Sequence, residues 1–171
     1  MFKSTLFAAS IIMASSAYSA DLKVGDPAPT FTGKNQSGQT FDLSQRKGQW
    51  TVLYFYPKAG TPGCTKQACA FRDSIKKIQA EGAEVYGVSS DSIEDQNKFH
   101  TEHKLGFDLI ADPDDKIIEL YGSKMPILSM SKRWTFIINP ELKIASIDKD
   151  VDPMLDAQRV TDKIIELKKA K

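Results

Sequence analysis

The feature that most constrains the fold is a buried strand followed by a turn, a helix and a second strand. Residues Trp50–Tyr56 form a continuous apolar and aromatic run, which is typical of a strand buried on both faces. Apolar residues then recur at helical spacing from Pro62 to Ala80, and Gly82 ends this helix. Ala83–Ser89 is a second strand-like run. The two strands are expected to be parallel and joined by a right-handed crossover.

Further strands and helices surround this unit. Gly33, Asn35 and Gly38 are expected to separate two short strands ahead of it. In chain order the sequence predicts strands at Thr30–Thr32 and Thr40–Leu43, a helix near Ser92–His103, a strand at Asp108–Ala111, a short helix at Asp114–Tyr121, a hairpin of Trp134–Asn139 and Lys143–Ile147, and a last helix with an apolar stripe of Val160, Ile164 and Leu167. This order predicts an α/β protein with a thioredoxin-like fold and an N-terminal hairpin extension.

The N-terminus has the pattern of a secretory signal. Lys3 precedes an apolar run from Leu6 to Ala14, and small residues follow at Ala17 and Ser19. The run is too short for a membrane-spanning helix, which needs about 20 residues. We therefore expect residues 1–19 to be a cleaved signal peptide and residues 20–171 to be a single domain of an exported protein, located in the bacterial periplasm.

Size and charge limit the function classes. Removing the signal leaves about 150 of the 171 residues, which suits one domain with a single substantial core. The whole chain has 23 basic and 22 acidic residues, and the signal takes one lysine with it, so the mature chain has 22 of each. This balance gives no electrostatic reason to expect nucleic acid or a membrane surface as a partner.

The turn after the first buried strand places a cysteine at the start of the helix. Thr61 suits the N-cap, Pro62 suits the first helical position, and Cys64 then lies in the first turn. Free backbone N–H groups and the helix dipole favour a thiolate there, at the edge where open α/β sheets bind ligands. Two alternatives stay open: Cys64 as an inert core residue, and a structural disulfide with Cys69, the other cysteine.

The motif Pro57-x-x-x-Thr61-x-x-Cys64, with Arg133 shortly before Thr135-Phe136, resembles the active-site pattern of peroxiredoxins. Cys69, followed by Phe71-Arg72-Asp73, is similar to the Q-type or bacterioferritin comigratory subfamily, which has its second cysteine in the same helix. The resemblance extends from Val24 to Val160 and includes Gly87-Val88-Ser89-Ser90-Asp91. It is weakest from Tyr121 to Ser131.

The resemblance implies a thiol peroxidase of the peroxiredoxin fold type, without a cofactor or metal. Cys64 would be the peroxidatic cysteine and Cys69 the resolving cysteine of a redox disulfide. Pro57 would shield the pocket, Thr61 would hydrogen-bond sulfur and peroxide, and Arg133 would stabilise thiolate and transition state. The backbone N–H groups of Gly63 and Cys64 would bind the substrate. Implied partners are a hydroperoxide and a thioredoxin-like or other dithiol reductant, and the resemblance favours a monomer.

Helix geometry bears on the pairing of the two cysteines. Residues five apart in a regular helix differ by about 140° in direction and ~9 Å in Cα position, whereas a disulfide needs Cα atoms within about 7 Å. A bond between Cys64 and Cys69 therefore requires the helix to unwind locally. This spacing favours a redox cycle over a permanent structural bridge, which would close too short a loop to stabilise much.

Two rival functions follow from other sequence features. A thiol-disulfide oxidoreductase would share the fold and the exported location, but it uses Cys-x-x-Cys, whereas four residues separate Cys64 from Cys69. A copper-delivery module could use the two cysteines together with His100 or His103, which are three apart on a predicted helix.

Overall fold

The computed structural model describes residues 21–170. The expected signal peptide, residues 1–19, lies outside the described residues. Within residues 21–170, no helix combines the length and the apolar character needed to cross a membrane.

The described chain forms seven strands and four α-helices. They are β1 Thr32–Asn35, β2 Thr40–Asp42, β3 Trp50–Phe55, α1 Pro62–Ala80, β4 Ala83–Ser89, α2 Ile93–His103, β5 Asp108–Ala111, α3 Lys116–Leu120, β6 Trp134–Ile138, β7 Ile144–Asp148 and α4 Asp156–Lys169, with a 3-10 turn at Leu43–Arg46. The strands form one sheet in the order β2-β1-β5-β4-β3-β6-β7. β4 runs parallel to β3 and β5, and the other pairs are antiparallel. This is the expected thioredoxin-like arrangement.

The central strand β3 separates two hydrophobic cores. Its six residues are all buried, and successive side chains point to opposite faces of the sheet. Trp50, Val52 and Tyr54 join the core under α1 and α4, whereas Leu53 and Phe55 join the core that contains α3 and the N-terminal segment. The continuous apolar run therefore reflects a strand covered on both faces, as predicted.

The predicted first hairpin is shifted in the structure. β1 covers Thr32–Asn35 and not Thr30–Thr32, so Gly33 and Asn35 belong to the strand. A Cβ atom on Gly33 would lie 2.8 Å from Cγ2 of Ile110, because β1 passes close to β5 at this point. Asn35 ends the strand, and its Oδ1 accepts hydrogen bonds from the N–H groups of Ser37 and Gln39. Asn35 also lies opposite Ile110 of β5, and the local sequence pattern does not show this long-range strand pairing.

Other boundaries differ by smaller amounts. α3 begins at Lys116 and not at Asp114, because Asp112 accepts the N–H groups of Ile117 and Ile118 at 2.8 and 2.9 Å and so fixes the helix start. α1, β4 and β5 have the predicted bounds. Because β3 ends at Phe55 and α1 begins at Pro62, Cys64 lies in the first helical turn beyond the end of β3.

Candidate active site

Cys64 lies in the first turn of α1 with only 1% of its surface exposed. Pro62 occupies one of the first two helical positions, as its fixed φ and missing N–H favour. The side chain joins the core next to Ala68 and Phe71. Burial alone would suit an inert core cysteine, so the functional interpretation depends on the polar groups that reach the sulfur.

Arg133 brings a positive charge to the sulfur of Cys64. Its Nη2 donates to Sγ at 3.5 Å, and its Nη1 donates to Oε1 of Gln67 at 2.6 Å. Neighbouring Lys132 points elsewhere, with Nζ 4.7 Å from the centre of the Trp134 ring. Of these two neighbouring cations, Arg133 is therefore the one that the structure brings to the sulfur.

The loop before β6 is closed by backbone hydrogen bonds, and Arg133 follows directly after it. Lys124 and Ser131 form a β-bridge. The N–H group of Lys132 donates to the carbonyl of Ser123 at 2.6 Å. This segment includes the region where the resemblance is weakest, and its closed form nevertheless places Arg133 against Cys64.

Gly63 allows this close approach of Arg133. A Cβ atom at position 63 would lie 3.2 Å from Nη2 of Arg133, which is tighter than an ordinary contact. A side chain here would press on the guanidinium group that touches the sulfur. The glycine before the cysteine therefore has a steric reason in addition to its free N–H group.

Thr61 is the N-cap residue of α1, but its side chain does not cap the helix. The hydroxyl instead donates to the carbonyl of Lys58 at 3.0 Å. The helical ladder starts with the N–H of Thr65, which donates to the carbonyl of Thr61. The N–H groups of Gly63 and Cys64 therefore have no intrahelical acceptor. Substrate binding by these two groups stays a prediction.

The turn that contains Pro57 is held by a carboxylate from the next strand. Pro57 is half-buried at the end of β3. Asp91 follows β4, and its Oδ2 accepts both the N–H of Ala59 at 2.8 Å and the hydroxyl of Ser89 at 2.7 Å. Asp91 belongs to a segment that the resemblance included without a role, and the structure shows that this residue fixes the active-site turn.

Sequence reasoning missed two residues that support Arg133. Gln67 lies one turn after Cys64 on α1 and is fully buried. Its Nε2 donates at 2.6 Å to Oδ2 of Asp156, the first residue of α4, and Thr135 donates to the same oxygen at 2.8 Å. The three-residue spacing from Cys64 was a signal for Gln67. Nothing local pointed to Asp156.

Asp156 is ionisable although only 1% of its surface is exposed. Burial is the main cause that raises its pKa to about 6, and nearby Asp148 raises it further. The hydrogen bonds from Gln67 and Thr135 and the charge of Arg133 act in the opposite direction. A buried carboxyl thus lies two hydrogen bonds away from the guanidinium that contacts Cys64.

Cys69 is half-buried, and both cysteines are free thiols. It lies in the same uninterrupted helix as Cys64, in agreement with the predicted helical placement. In this conformation the two residues have the regular helical spacing, which exceeds disulfide reach. The structure therefore corresponds to the reduced arrangement.

The metal-delivery alternative receives no support from the arrangement of the side chains. Between residues 21 and 170, no group of three or more His, Cys, Asp or Glu side chains is placed to hold a metal ion. His103 is in edge contact with the ring of Phe99, with ring centres 5.0 Å apart. His100 lies on the same helix. The histidine pair is thus not organised around the cysteines.

Comparison with known proteins agrees with this site. Residues 24–147 match the family model described as the AhpC/TSA family. The chain is 42% identical over 121 residues to the chloroplastic peroxiredoxin Q of Sedum lineare, covering 70% of this chain and 65% of that protein. It is 37% identical over 135 residues to peroxiredoxin Bcp of Escherichia coli, covering 75% and 86%. The chain spans between 54% and 65% of the length of the chloroplastic relatives.

Solved structures share the fold. Peroxidoxin BcpB of Mycobacterium tuberculosis superposes with a TM-score of 0.80 at 30% identity, covering 85% of this chain and 98% of that one. The bacterioferritin comigratory protein of Xanthomonas campestris gives a TM-score of 0.74 at 26% identity, with 82% and 91% covered. The family match, the relatives and the site geometry agree, and the chain belongs to the AhpC/TSA family as a peroxiredoxin of the Q or Bcp type.

Proposed function

We propose that this protein is a thiol-dependent peroxidase in which Cys64 attacks a hydroperoxide and Cys69 resolves the product. The observation that carries the proposal is the contact of 3.5 Å between Nη2 of Arg133 and Sγ of Cys64 at the start of α1. A charged donor this close to the sulfur is placed to stabilise the negative charge that develops during attack on a peroxide. Membership of the peroxiredoxins, which are thiol peroxidases, supports the same chemistry.

The first step transfers one oxygen atom from the peroxide to Cys64. The thiolate attacks one peroxide oxygen and the O–O bond breaks, so that sulfur is oxidised to a sulfenic acid and the peroxide is reduced. The second oxygen leaves as an alkoxide or hydroxide and takes up a proton. Arg133 and the N–H groups of Gly63 and Cys64 are placed to stabilise this developing negative charge. Thr61 would join them if its hydroxyl turned from the carbonyl of Lys58 towards the peroxide.

The second step forms the disulfide between Cys64 and Cys69. The thiol of Cys69 attacks the sulfenic sulfur, an S–S bond forms and water leaves. The first turns of α1 must open for this, because the regular helix holds the two residues too far apart. An external dithiol then reduces the disulfide by thiol-disulfide exchange and is itself oxidised.

The substrate class and the reductant are part of the proposal. The Xanthomonas campestris relative is described by its alkyl peroxide reduction activity, which supports organic hydroperoxides together with hydrogen peroxide as substrates here. The reductant is proposed to be a thioredoxin-like or other dithiol protein. Because the first residues have the pattern of a signal peptide, we place the enzyme in the bacterial periplasm, as a monomer. Export is checked by N-terminal sequencing of the secreted protein, which should begin at Ala20.

The experiment is steady-state peroxide consumption by the protein without residues 1–19. Hydrogen peroxide and an alkyl hydroperoxide are each offered with several dithiol donors, among them thioredoxin and dithiothreitol. We expect turnover with at least one donor and none in the Cys64→Ser variant. Turnover that survives in Cys64→Ser would contradict the proposal.

A further inference from the structure

A buried carboxyl group that the peroxide chemistry does not use lies behind the active site. Asp156 is the first residue of α4, and its Oδ2 accepts hydrogen bonds from Gln67 and Thr135. Its other oxygen, Oδ1, is buried and has no hydrogen-bond partner within the described chain. Burying a carboxyl in this way is costly unless it is paired, so its presence calls for a physical role.

Gln67 connects this carboxyl to the active-site arginine. Its Oε1 accepts from Nη1 of Arg133 at 2.6 Å, and its Nε2 donates to Asp156 at 2.6 Å. A guanidinium can only donate and a carboxylate can only accept. The amide is therefore fixed at both ends, and the opposite orientation would place donor against donor and acceptor against acceptor.

We propose that Asp156 is a positioning residue that holds Arg133 against Cys64 through Gln67, and that the negative charge on Asp156 strengthens this hold. The inference rests on the proposed roles of Cys64 and Arg133. A hydrogen bond to an ionised carboxylate is shorter and stronger than one to a neutral acceptor. Thr135, on the strand that follows Arg133, ties the same carboxyl to the sheet. Without this charge the same contacts remain, but the hydrogen bonds that connect Asp156 to Gln67, and through Gln67 to Arg133, are weaker.

The charges around Asp156 are compatible with a carboxyl that changes state near neutral pH. Asp148 on β7 is a second carboxyl group nearby, and Arg133 is the neighbouring cation. Tyr54 on β3 is also close, and burial raises the pKa of its hydroxyl. Asp156 also borders a cavity of about 420 Å³ between β6, β7 and α4, whose other charged residues are Asp148, Arg159, Asp162, Lys163 and Glu166.

Most of the charged residues around this cavity are paired. Arg159 lies 3.6 Å from Asp148, and Lys163 lies 2.7 Å from Glu166. Burial raises the pKa of Asp156 to about 6, so the carboxyl is mostly ionised at pH 7 and mostly protonated at pH 5. The active-site arginine would thus be held more firmly above pH 6 than below it.

The test compares Asp156 with Asp156→Asn in a Cys69→Ser background. Asn keeps an acceptor for Gln67 and Thr135 but is neutral at every pH. Stopped-flow single turnovers give the second-order rate of Cys64 with hydrogen peroxide from pH 5 to 8, expressed per thiolate with the ultraviolet absorbance of the thiolate. The parent should be roughly fivefold faster than the Asn variant above pH 7. The two rates should converge as the pH falls towards 5, with a midpoint near 6.

Two further variants control the interpretation. Asp162→Asn removes an exposed carboxyl from the same cavity and should leave the rates unchanged at all pH values. Gln67→Met cuts the connection while keeping the side-chain length, and it should lose the same pH-dependent step even if Asp156→Asn does not fold. A rate ratio that stays constant with pH, in a parent that reacts with peroxide, would overturn the inference. A parent that does not react at all would instead contradict the proposed function.

Discussion

Nη2 of Arg133 lies 3.5 Å from Sγ of Cys64, although 69 residues separate the two in the sequence. The contact joins the start of α1 to the start of β6, and these elements meet because β3 pairs with β6. It gives a buried cysteine the charged partner that distinguishes a reactive thiol from an inert one.

Arg133→Ala should slow the reaction of Cys64 with peroxide by roughly 100-fold or more, because it removes a charged donor aimed at the transition state. The free energy of unfolding should fall by only about 1–2 kcal/mol, because the buried Oε1 of Gln67 loses its donor. Stopped-flow single turnovers and denaturant unfolding measure the two quantities. Lys132→Ala is the matched control, because that side chain lies over Trp134. If Lys132→Ala were the slower variant, the cation would be wrongly assigned.

Gly63→Ala should also slow the reaction, by roughly tenfold, because misplaced active-site groups lose rate steeply. The new Cβ atom would lie 3.2 Å from Nη2 of Arg133 and displace it from the sulfur. Gly106→Ala is a suitable control, since its Cβ atom would lie 3.8 Å from Ile75, an ordinary contact. Equal single-turnover rates for Gly63→Ala and the parent would show that the guanidinium tolerates the shift.

Asp156 should make the protein less stable as the pH rises from 4 to 7. Its pKa is about 6 in the folded chain and 3.8 as the ordinary value. The folded state therefore holds the proton more tightly, and this advantage is complete below pH 3.8 and lost through pH 6. The loss amounts to about 3 kcal/mol at most.

Asp156→Asn removes this dependence. The parent should therefore lose stability relative to Asp156→Asn as the pH rises. Denaturant titrations at pH 4, 5, 6 and 7 measure the difference in free energy of unfolding between the two proteins. A difference that does not change with pH would mean that the pKa of Asp156 is not raised.

Oxidation by one equivalent of peroxide should open the start of α1 and leave the rest of the fold unchanged. End turns are the least costly part of a helix to open, because some of their backbone groups lack intrahelical partners. Amide hydrogen exchange on reduced and oxidised protein should show faster exchange from Thr61 through Phe71 and full protection beyond Ile75. Equal protection in both states, with the disulfide confirmed by mass, would show that no unwinding is needed.

The sequence allowed the main elements to be predicted because their signals are local. Apolar spacing and Pro62 defined α1, and the continuous apolar run defined β3. The first hairpin was displaced because Gly33 serves a close contact with Ile110, 77 residues away. A short strand whose glycine meets a distant partner carries little local information.

The same distinction applies to the active site. Cys64, Thr61 and Arg133 were predictable because they form a recognisable motif. Gln67 was within reach of helical spacing, but Asp156 meets it across 89 residues, and only the packing of α4 on α1 creates that contact. The side chain of Thr61 shows the reverse case, since its N-cap position was predicted but its hydroxyl bonds to Lys58.

The central claim is that Cys64 is the nucleophile and Cys69 the resolving thiol, and single-turnover thiol counting with mass analysis tests it most directly. The parent treated with one equivalent of hydrogen peroxide should lose both thiols and yield a peptide that joins Cys64 to Cys69. Cys69→Ser should still consume one equivalent and carry one added oxygen on Cys64. Cys64→Ser should consume no peroxide. Peroxide consumption by Cys64→Ser, or oxidation of Cys69 ahead of Cys64, would contradict the account.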